Sequence, residues 1–177
     1  QNAICTFNVL EAMRHNSVKK IVFTSTAPIY GDAKIFPTPE NVPLPNQTSL
    51  YGASKLYCEG LIQSYCEGFN FQSWIFRFVS ILGPRYPHGH VFDFYKQLVI
   101  NKTSKLKILG NGYQKKSYLN VKDCISAIMI ATKRSKKKIN IFNLGSNEFV
   151  NVRTSAKIIC KKLNLRPKFY FSGGKSG

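Results

Sequence analysis

The chain is poor in acidic residues, with 8 aspartates and glutamates against 26 lysines and arginines, so its formal charge is +18. A charge of this sign suits nucleic acid, an anionic membrane surface or a small anionic substrate. No RNA-binding, helix-turn-helix or zinc-finger pattern accompanies it, and the densest basic run, residues 133–138, is typical of a solvated loop. Nucleic acid is therefore not the expected partner.

The chain also lacks an apolar run long enough to span a bilayer, and Gln1-Asn2-Ala3-Ile4 has neither an initiator methionine nor the layout of a signal peptide. Its five cysteines are scattered without a CxxC pair, which argues against a disulfide framework and a zinc site. His88 and His90 lie in a loop without carboxylate or thiol partners, so no metal is expected. These absences predict a cytoplasmic protein without a membrane segment, represented here by a piece of a longer chain.

The spacing of apolar residues predicts alternating helices and strands. Helical periodicity covers residues 1–15, 50–67, 91–100, 121–132 and 152–163, and strand-like runs cover residues 20–23, 71–82 and 139–144. Four prolines, Pro37, Pro39, Pro43 and Pro45, exclude a helix between residues 32 and 46 and predict an ordered loop or lid. Strand, helix and strand in succession imply a parallel right-handed crossover, so we expect an α/β fold.

One helix opens with a pairing of side chains that suits proton transfer. In Tyr51-Gly52-Ala53-Ser54-Lys55 the phenol and the ammonium are four residues apart and so share a face. The adjacent positive charge favours phenolate over phenol, which suits the tyrosine to accept a proton. Such a pair is common on helix surfaces by chance. Here, however, the hydroxyl cluster Thr24-Ser25-Thr26 ends the preceding strand, and a strand containing Arg77 follows at crossover distance.

These segments resemble a known family. The run Phe23-Thr24-Ser25-Thr26-Ala27-Pro28-Ile29-Tyr30-Gly31-Asp32, together with Tyr51 to Lys55, is similar to the extended short-chain dehydrogenase/reductase family. In order and spacing the chain further resembles the UDP-glucose 4-epimerase group of that family, through Gly83-Pro84-Arg85, His88-Gly89-His90-Val91-Phe92-Asp93-Phe94, Ile108-Leu109-Gly110-Asn111-Gly112, Lys116-Ser117-Tyr118 and Phe142-Asn143-Leu144-Gly145-Ser146. The resemblance covers essentially the whole chain.

The resemblance implies a partial Rossmann-like, doubly wound parallel sheet with a smaller α/β substrate-binding region. Residues 1–82 would be the C-terminal part of an NAD-binding domain that carries the catalytic residues. Residues 83–177 would mainly bind the nucleotide sugar, with the strand at 139–145 returning to the sheet. The family's glycine-rich pyrophosphate turn has no counterpart here and would precede Gln1. Gly174-Lys175-Ser176 is no substitute, because Phe169 stands where a P-loop needs glycine.

The resemblance also implies roles for individual residues. Tyr51 would be the general base that takes the proton of the sugar 4-hydroxyl while hydride passes to NAD. Lys55 would hydrogen-bond the nicotinamide ribose and stabilise the phenolate, and Thr26 would hold the 4-oxygen or relay its proton. Val79 would lie at the nicotinamide, where the family often has an aromatic residue. All four residues would therefore contact the cofactor, and Thr26 and Tyr51 would contact the substrate as well.

For the diphosphate and uracil of a UDP-sugar, the implied positions lie further along the chain. Lys116 stands where the family commonly has arginine, which keeps the charge but loses the bidentate fork. Ser80 stands where asparagine is frequent. The full implied set is Ser80, Val91, Lys107, Leu109 and Lys116.

Two residues discriminate between reactions within the family. Related 4,6-dehydratases usually carry an acidic residue after the equivalent of Thr26, whereas this chain has Ala27 and Pro28, which can neither donate nor accept a proton. Inversion of a UDP-hexose at C4 is therefore expected. There are two alternatives. One is a 4-epimerase of another UDP-sugar, a uronate or an N-acetylhexosamine, and the other is a catalytically silent binding domain. The helices at 1–15 and 50–67 would form a homodimer contact in related enzymes, and the segment alone is expected to be inactive.

Overall fold

The computed structural model describes residues 1–43 and 46–174. Pro45 of the proline-rich segment and Lys175-Ser176 of the rejected P-loop pattern lie outside the described residues. The chain divides into two compact units, Gln1–Ile81 with Leu119–Gly145, and Leu82–Tyr118 with Ser146–Gly177. The first unit thus takes in residues 119–145 as well as the N-terminal half of the chain. The assignment of NAD binding to residues 1–82 and of nucleotide-sugar binding mainly to residues 83–177 stays a prediction.

Five α-helices and nine strands are assigned within residues 1–43 and 46–174. In chain order they are α1 (Asn2–His15), β1 (Lys20–Thr26), α2 (Leu50–Phe69), β2 (Gln72–Phe78), β3 (Ser80–Leu82), α3 (Gly89–Tyr95), β4 (Lys105–Ile108), β5 (Lys115–Lys116), β6 (Tyr118–Asn120), α4 (Val121–Arg134), β7 (Ile139–Leu144), β8 (Val150–Asn151), α5 (Val152–Leu163) and β9 (Lys168–Phe171). A 3₁₀ turn, Ala27–Tyr30, follows β1, and a π-helical turn, Lys96–Ile100, follows α3. The predicted α/β class is confirmed.

The first unit is built on a parallel sheet of three strands in the order β1-β2-β7. Its middle strand, β2, is buried through Trp74, Ile75 and Phe76, as expected for a parallel strand covered on both faces. Helices α1 and α2 pack together, with Leu10, Ile62 and other apolar residues forming a core against the strands. The carboxyl ends of the three strands meet at one edge of this sheet, as parallel pairing requires.

The second unit has its own small core, in which Leu106 and Ile108 of β4 pack with Ala156 of α5. Strands β4 and β9 pair in parallel, and β5 and β8 pair antiparallel. Asn151 caps α5, because its side chain accepts a hydrogen bond from the Thr154 N–H. The sequence did not anticipate β4 or β9, and the single helix predicted near 91–100 is an α-helix continued by a π turn.

The five cysteines are free thiols, and all except Cys5 are buried. Among the described residues no three histidine, cysteine or acidic side chains are grouped so that they could hold a metal ion. In the same part of the chain, no helix combines the length and the apolar character that a bilayer crossing needs.

Candidate functional site

Helix α2 presents Tyr51 and Lys55 at its N-terminal end. The helix begins at Leu50 because the Ser49 side chain accepts a hydrogen bond from the Gly52 N–H at 2.9 Å. Tyr51 is about half exposed, at 52%. Lys55, one turn further on, donates from Nζ to the carbonyl of Thr24 at 2.9 Å and lies over the Phe23 ring. The lysine ammonium is therefore held against the carboxyl half of β1.

A close backbone approach brings the start of α2 against the turn that follows Thr26. A Cβ atom at Gly52 would lie only 2.8 Å from the Pro28 carbonyl oxygen, closer than real Cβ atoms come. Glycine at this position therefore lets the helix approach the 3₁₀ turn Ala27–Tyr30. Thr26 itself is buried at the end of β1. The structure thus brings the helical turn that carries Tyr51 and Lys55 together with the strand end that carries Thr26.

Val79 and Ser80 follow the carboxyl end of the neighbouring strand, β2. The Val79 N–H donates to the carbonyl of Leu144 at 3.2 Å. A Cβ at Gly145 would lie 2.9 Å from a Val79 methyl group, so the end of β7 also packs closely on this side chain. Both Val79 and Ser80 are half-buried. Thr26 and Val79 therefore lie at the carboxyl ends of adjacent parallel strands. We call Thr26, Tyr51, Lys55 and Val79 the strand-end site.

A buried ion pair lies beside this site, and the sequence had not singled it out. Glu59 is fully buried and Arg77 is 4% exposed. Arg77 donates from Nη2 and Nε to the Glu59 carboxylate at 2.8 and 3.2 Å, and Ser25 donates its hydroxyl to the same carboxylate. Burial alone would lower the pKa of Arg77, but hydrogen bonds to Glu59 and Tyr30 raise it. The Arg77 guanidinium therefore keeps its charge although it is buried.

The position of Glu59 on α2, relative to Lys55 and Tyr51, is the sequence signal that could have found this pair. Glu59 follows Lys55 by four residues and Tyr51 by eight, so all three lie on one helix face. A carboxylate on the face that meets a sheet is buried, and a buried charge needs a partner. Arg77, in the middle of an otherwise apolar strand, was the obvious candidate.

The second unit contains a cavity of about 410 Å³ that brings together three of the predicted substrate-binding residues. Lys107, Leu109 and Lys116 line it, and Lys96 adds a further ammonium group. We call this cavity the lysine pocket. Val91 lies in α3 and is not among the residues that line the cavity. The three lysines outnumber Asp93, which also lines the cavity, so the lysine pocket has the net positive charge that suits an anionic ligand.

Polar side chains shape one wall of the lysine pocket. The Gln97 side chain accepts a hydrogen bond from the Lys107 N–H at 2.8 Å and donates one to the Lys107 carbonyl at 3.1 Å. It therefore pairs with the backbone of β4 as a neighbouring strand would. Gln97 belongs to the π turn, a distortion that often marks functional sites. Across the pocket, Gln114 Oε1 is buried and has no hydrogen-bond partner among the residues that the structure describes. It is an acceptor available to a ligand donor.

His90 also lines the pocket but is held by the protein. Its Nε2 atom lies 3.0 Å from the Ser155 hydroxyl and 3.1 Å from the Tyr118 hydroxyl. Burial, and then the nearby charge of Lys116, lower the pKa of His90, whereas Asp93 raises it. Burial also raises the pKa of Tyr118 to about 12. His90 is therefore favoured as a neutral ring, and Tyr118 stays a phenol.

Arg153 fixes the glycine-rich turn beside the pocket. Its guanidinium lies between the rings of Tyr113 and Phe171, 4.3 and 4.0 Å from their centroids, and its Nε donates to the Asn111 carbonyl at 2.9 Å. Gly112 has φ of +77°, and a Cβ there would lie 2.6 Å from Arg153 Cγ. The turn between Leu109 and Lys116 is therefore closely packed.

A parallel α/β sheet with polar side chains at its carboxyl edge is the arrangement of Rossmann-type proteins, which bind ligands at that edge. Residues 1–145 match the NAD dependent epimerase/dehydratase family. The chain belongs to this family. The predicted family membership is thus confirmed, and NAD, the predicted cofactor, is the cofactor of the family.

Two curated relatives illustrate the range of reactions in the family. The chain is 30% identical over 196 residues to the UDP-glucose 4-epimerase of Yersinia pestis, covering 99% of the chain and 58% of the relative. It is 32% identical over 170 residues to the dTDP-D-glucose 4,6-dehydratase of Dictyostelium discoideum, covering 89% of the chain and 38% of the relative. The chain thus spans about half the length, or less, of these relatives.

Solved structures agree closely in fold. A UDP-galactose 4-epimerase superposes with a TM-score of 0.88 at 34% identity, covering 98% of this chain and 57% of that protein. The UDP-glucuronic acid 4-epimerase from Bacillus cereus, in complex with UDP-glucuronic acid and NAD, superposes with a TM-score of 0.87 at 28% identity, covering 100% and 56%. The predicted Rossmann-like fold class is confirmed. The roles assigned to individual site residues stay predictions.

Proposed function

We propose that the whole protein is an NAD-dependent epimerase that inverts a UDP-hexose, UDP-glucose or UDP-galactose, at C4. The observation that carries the proposal is the packing of the first turns of α2, which contain Tyr51 and Lys55, against the carboxyl end of β1, which contains Thr26. There the Lys55 ammonium donates to the Thr24 carbonyl, and Gly52 of α2 lies so close to the turn after Thr26 that a Cβ atom would meet the Pro28 carbonyl. The match to UDP-glucose and UDP-galactose 4-epimerases along nearly all of the chain supports it.

In this proposal the chain's own residues move one proton. The Tyr51 phenolate accepts the proton of the sugar 4-hydroxyl and, as the phenol, later returns a proton to the same oxygen. The Thr26 hydroxyl holds that oxygen, and Lys55 supplies the positive charge that stabilises the phenolate. NAD, when bound, would supply the acceptor for the C4 hydrogen, which leaves as hydride, and the hydride that is later returned. Because the 4-keto sugar turns over before it is reduced, the product differs from the substrate only in configuration.

The residues of the strand-end site fit the nicotinamide half of NAD. A hydroxyl, a phenol, an ammonium group and an apolar side chain surround the carboxyl ends of adjacent parallel strands, where such cofactors bind. Val79, packed by Gly145, would lie against the ring, and Lys55 would bond the ribose. The sequence contains no glycine-rich turn for the pyrophosphate.

Epimerisation is favoured over dehydration by the residues that follow Thr26. Ala27 and Pro28 open a 3₁₀ turn and carry no group that could transfer a second proton for elimination. The lysine pocket would hold the diphosphate, with Lys107 and Lys116 as counter-charges and Leu109 beside the base. Ser80 and Val91 would complete the substrate contacts, as the resemblance implies.

A UDP-uronate 4-epimerase is the second candidate, supported by the close superposition on the Bacillus cereus enzyme. The two are separated by incubating the whole protein, with NAD bound, with UDP-galactose, UDP-glucuronate and UDP-N-acetylglucosamine and resolving the 4-epimers by NMR. Inversion of UDP-galactose is the expected result. If none of the three UDP-sugars were inverted, the assignment as an epimerase would be refuted. Inversion of UDP-glucuronate alone would establish the second candidate.

A catalytically silent domain would be distinguished by its ligands. We expect UDP-sugar to raise the melting temperature of the protein, because a ligand that binds only the folded state stabilises it. Salt-sensitive retention on a polyanion column without protection by UDP-sugar would indicate the silent alternative.

We also propose that the protein forms a homodimer through α1 and α2. Ile4 and Phe7 of α1 and Leu50 of α2 are large exposed apolar side chains, as a contact between subunits would require. Light scattering after size exclusion should give twice the mass of the subunit. The free cysteines favour a reducing compartment, the cytoplasm.

A further inference from the structure

The buried ion pair of Glu59 and Arg77 is not used in the proposed proton transfer, although it lies next to the residues that perform it. Its charges are removed from water, which is unfavourable unless each is paired and hydrogen-bonded. Arg77 makes bonds to the Glu59 carboxylate, the Tyr30 hydroxyl and the Glu40 carbonyl. Such a well-connected pair needs an explanation beyond packing.

The pair belongs to a polar row that crosses all three strands of the sheet. Ser25 of β1, Arg77 of β2 and Asn143 of β7 are neighbours in register. Each residue precedes the last residue of its strand, so the row lies one step below the carboxyl edge. Arg77, at the centre, bonds the Tyr30 hydroxyl at 2.6 Å, and that hydroxyl donates to Asn143 Oδ1 at 2.8 Å.

Glu59 connects this row to helix α2. Its carboxylate accepts bonds from Ser25, the residue before Thr26, and from Arg77. Because Glu59 shares a helix face with Lys55 and Tyr51, fixing its carboxylate fixes both the rotation of α2 and its position along the helix axis.

The same row also holds the segment that leads into α2. Arg77 Nη1 donates to the Glu40 carbonyl at 2.9 Å, and the Asn143 N–H donates to the Glu40 carboxylate at 2.8 Å. The Asn143 side-chain amide donates to the Thr38 carbonyl at 2.8 Å. The helix is thus anchored through Glu59, and part of the chain before it is anchored through Glu40 and Thr38.

We infer that Glu59 and Arg77 are positioning residues, which hold the Tyr51–Lys55 turn of α2 against Thr26 by tying it to the polar row Ser25–Arg77–Asn143. The expected effect on kcat rests on the proposed function, whereas the anchoring of α2 does not. A displacement of reacting groups by about 1 Å can lower a rate about 10²-fold, so the tie is expected to act on kcat.

The test compares variants of the whole protein. Glu59→Gln combined with Arg77→Met removes both charges, so that no unpaired charge is left buried, and Gln keeps an acceptor for Ser25. We expect this double variant to remain folded, with kcat lowered about 10²-fold and KM for UDP-sugar changed less than 3-fold, as estimated from the cost of misplaced reacting groups. Wild-type kcat in the folded double variant would show that the pair contributes only stability and would overturn the inference.

Two further variants keep the test decisive. Glu67→Gln removes an ion pair of the same helix, that of Glu67 with Lys138, which is exposed, and should leave kcat unchanged. Asn143→Ala spares the ion pair but removes the bonds to Tyr30 and Thr38, and should lower kcat several-fold with KM retained. If the double variant does not fold, wild-type kcat in Asn143→Ala overturns the inference.

Hydrogen exchange tests the inference independently of activity. We expect the amides of residues 38–43 and 50–56 to exchange faster in Asn143→Ala and in the double variant than in Glu67→Gln. Unchanged exchange would overturn the positioning role. If the wild-type protein converts no UDP-sugar but the variants differ in exchange as expected, the proposed function fails while the anchoring of α2 stands.

Discussion

The strand-end site and the lysine pocket handle charge in opposite ways. Beside the first, the charges of Glu59 and Arg77 are buried and their positions are set by hydrogen bonds. In the second, Lys107 and Lys116 expose their ammonium groups to solvent. Proton transfer depends on short distances, whereas attraction of an anion acts over several ångströms and is weakened by salt. The two regions are therefore expected to respond differently to substitution.

The largest effect is expected from Tyr51→Phe. Loss of the phenolic hydroxyl should lower kcat by about 10²–10⁴-fold, the usual contribution of a general acid–base group. Because Tyr51 is half exposed, the melting temperature should hardly change. Tyr57→Phe, at an exposed tyrosine of the same helix, is the control and should keep wild-type kcat. A Tyr51→Phe variant with wild-type turnover would break the assignment of chemistry to the strand-end site.

The close packing at the strand-end site predicts opposite effects for two glycines of one helix. Gly52→Ala should destabilise the protein by about 1–3 kcal/mol, the usual cost of overpacking, because its Cβ would meet the Pro28 carbonyl. Gly60→Ala meets nothing within 4 Å and should stabilise the protein by about 0.5–1 kcal/mol. Chemical denaturation measures both. Equal effects would mean that the approach of α2 to the 3₁₀ turn is not tight.

At the lysine pocket, Lys116→Ala should raise KM for UDP-sugar about 10-fold, as expected for loss of one charge-assisted hydrogen bond, with little change in kcat. Lys116→Arg should restore or improve binding because of its bidentate fork. Lys157→Ala, an exposed lysine of α5, is the control. Added salt should raise KM more in wild type than in Lys116→Ala. A fall in kcat at constant KM would contradict the division of roles between the two regions.

The smallest effect concerns pH and His90. Because the folded protein lowers the pKa of His90 below its usual 6.5, the unfolded chain binds the proton more readily. Stability should therefore fall as the pH drops below about 6.5, since protonation of His90 then favours unfolding. His90→Gln should flatten this part of the profile of melting temperature against pH. An unaltered acid-side slope would show that another group is responsible.

The helices and the sheet strands of the first unit were accessible from the sequence because their signals are local. Ser49 caps the helix that it precedes, and the apolar run of β2 is typical of a buried parallel strand. Thr26, Tyr51 and Lys55 could be selected because the order of the elements brings a strand end and a helix start to one edge of a sheet. Lys107, Leu109 and Lys116 came only from the resemblance.

What the sequence did not reveal depends on distant partners. Strand β4, Lys105–Ile108, is short and pairs with β9 more than sixty residues away, so its alternation of lysine and apolar residues was easily overlooked. The π turn at Lys96–Ile100 cannot be distinguished from a continuing α-helix by periodicity. The spacing of Glu59 from Lys55 places both residues on one face of α2, but only the fold shows that this face meets the sheet. In each case the tertiary environment determines the outcome.

The contacts of Arg153 with two aromatic rings and a backbone carbonyl affect how a ligand would bind in the lysine pocket. The guanidinium is stacked between two rings and bonded to the Asn111 carbonyl, so the turn between Leu109 and Lys116 is held by the protein itself. A ligand that enters the adjoining cavity therefore meets a wall with little conformational entropy left to lose. Preorganisation of this kind favours affinity without adding a single contact to the ligand.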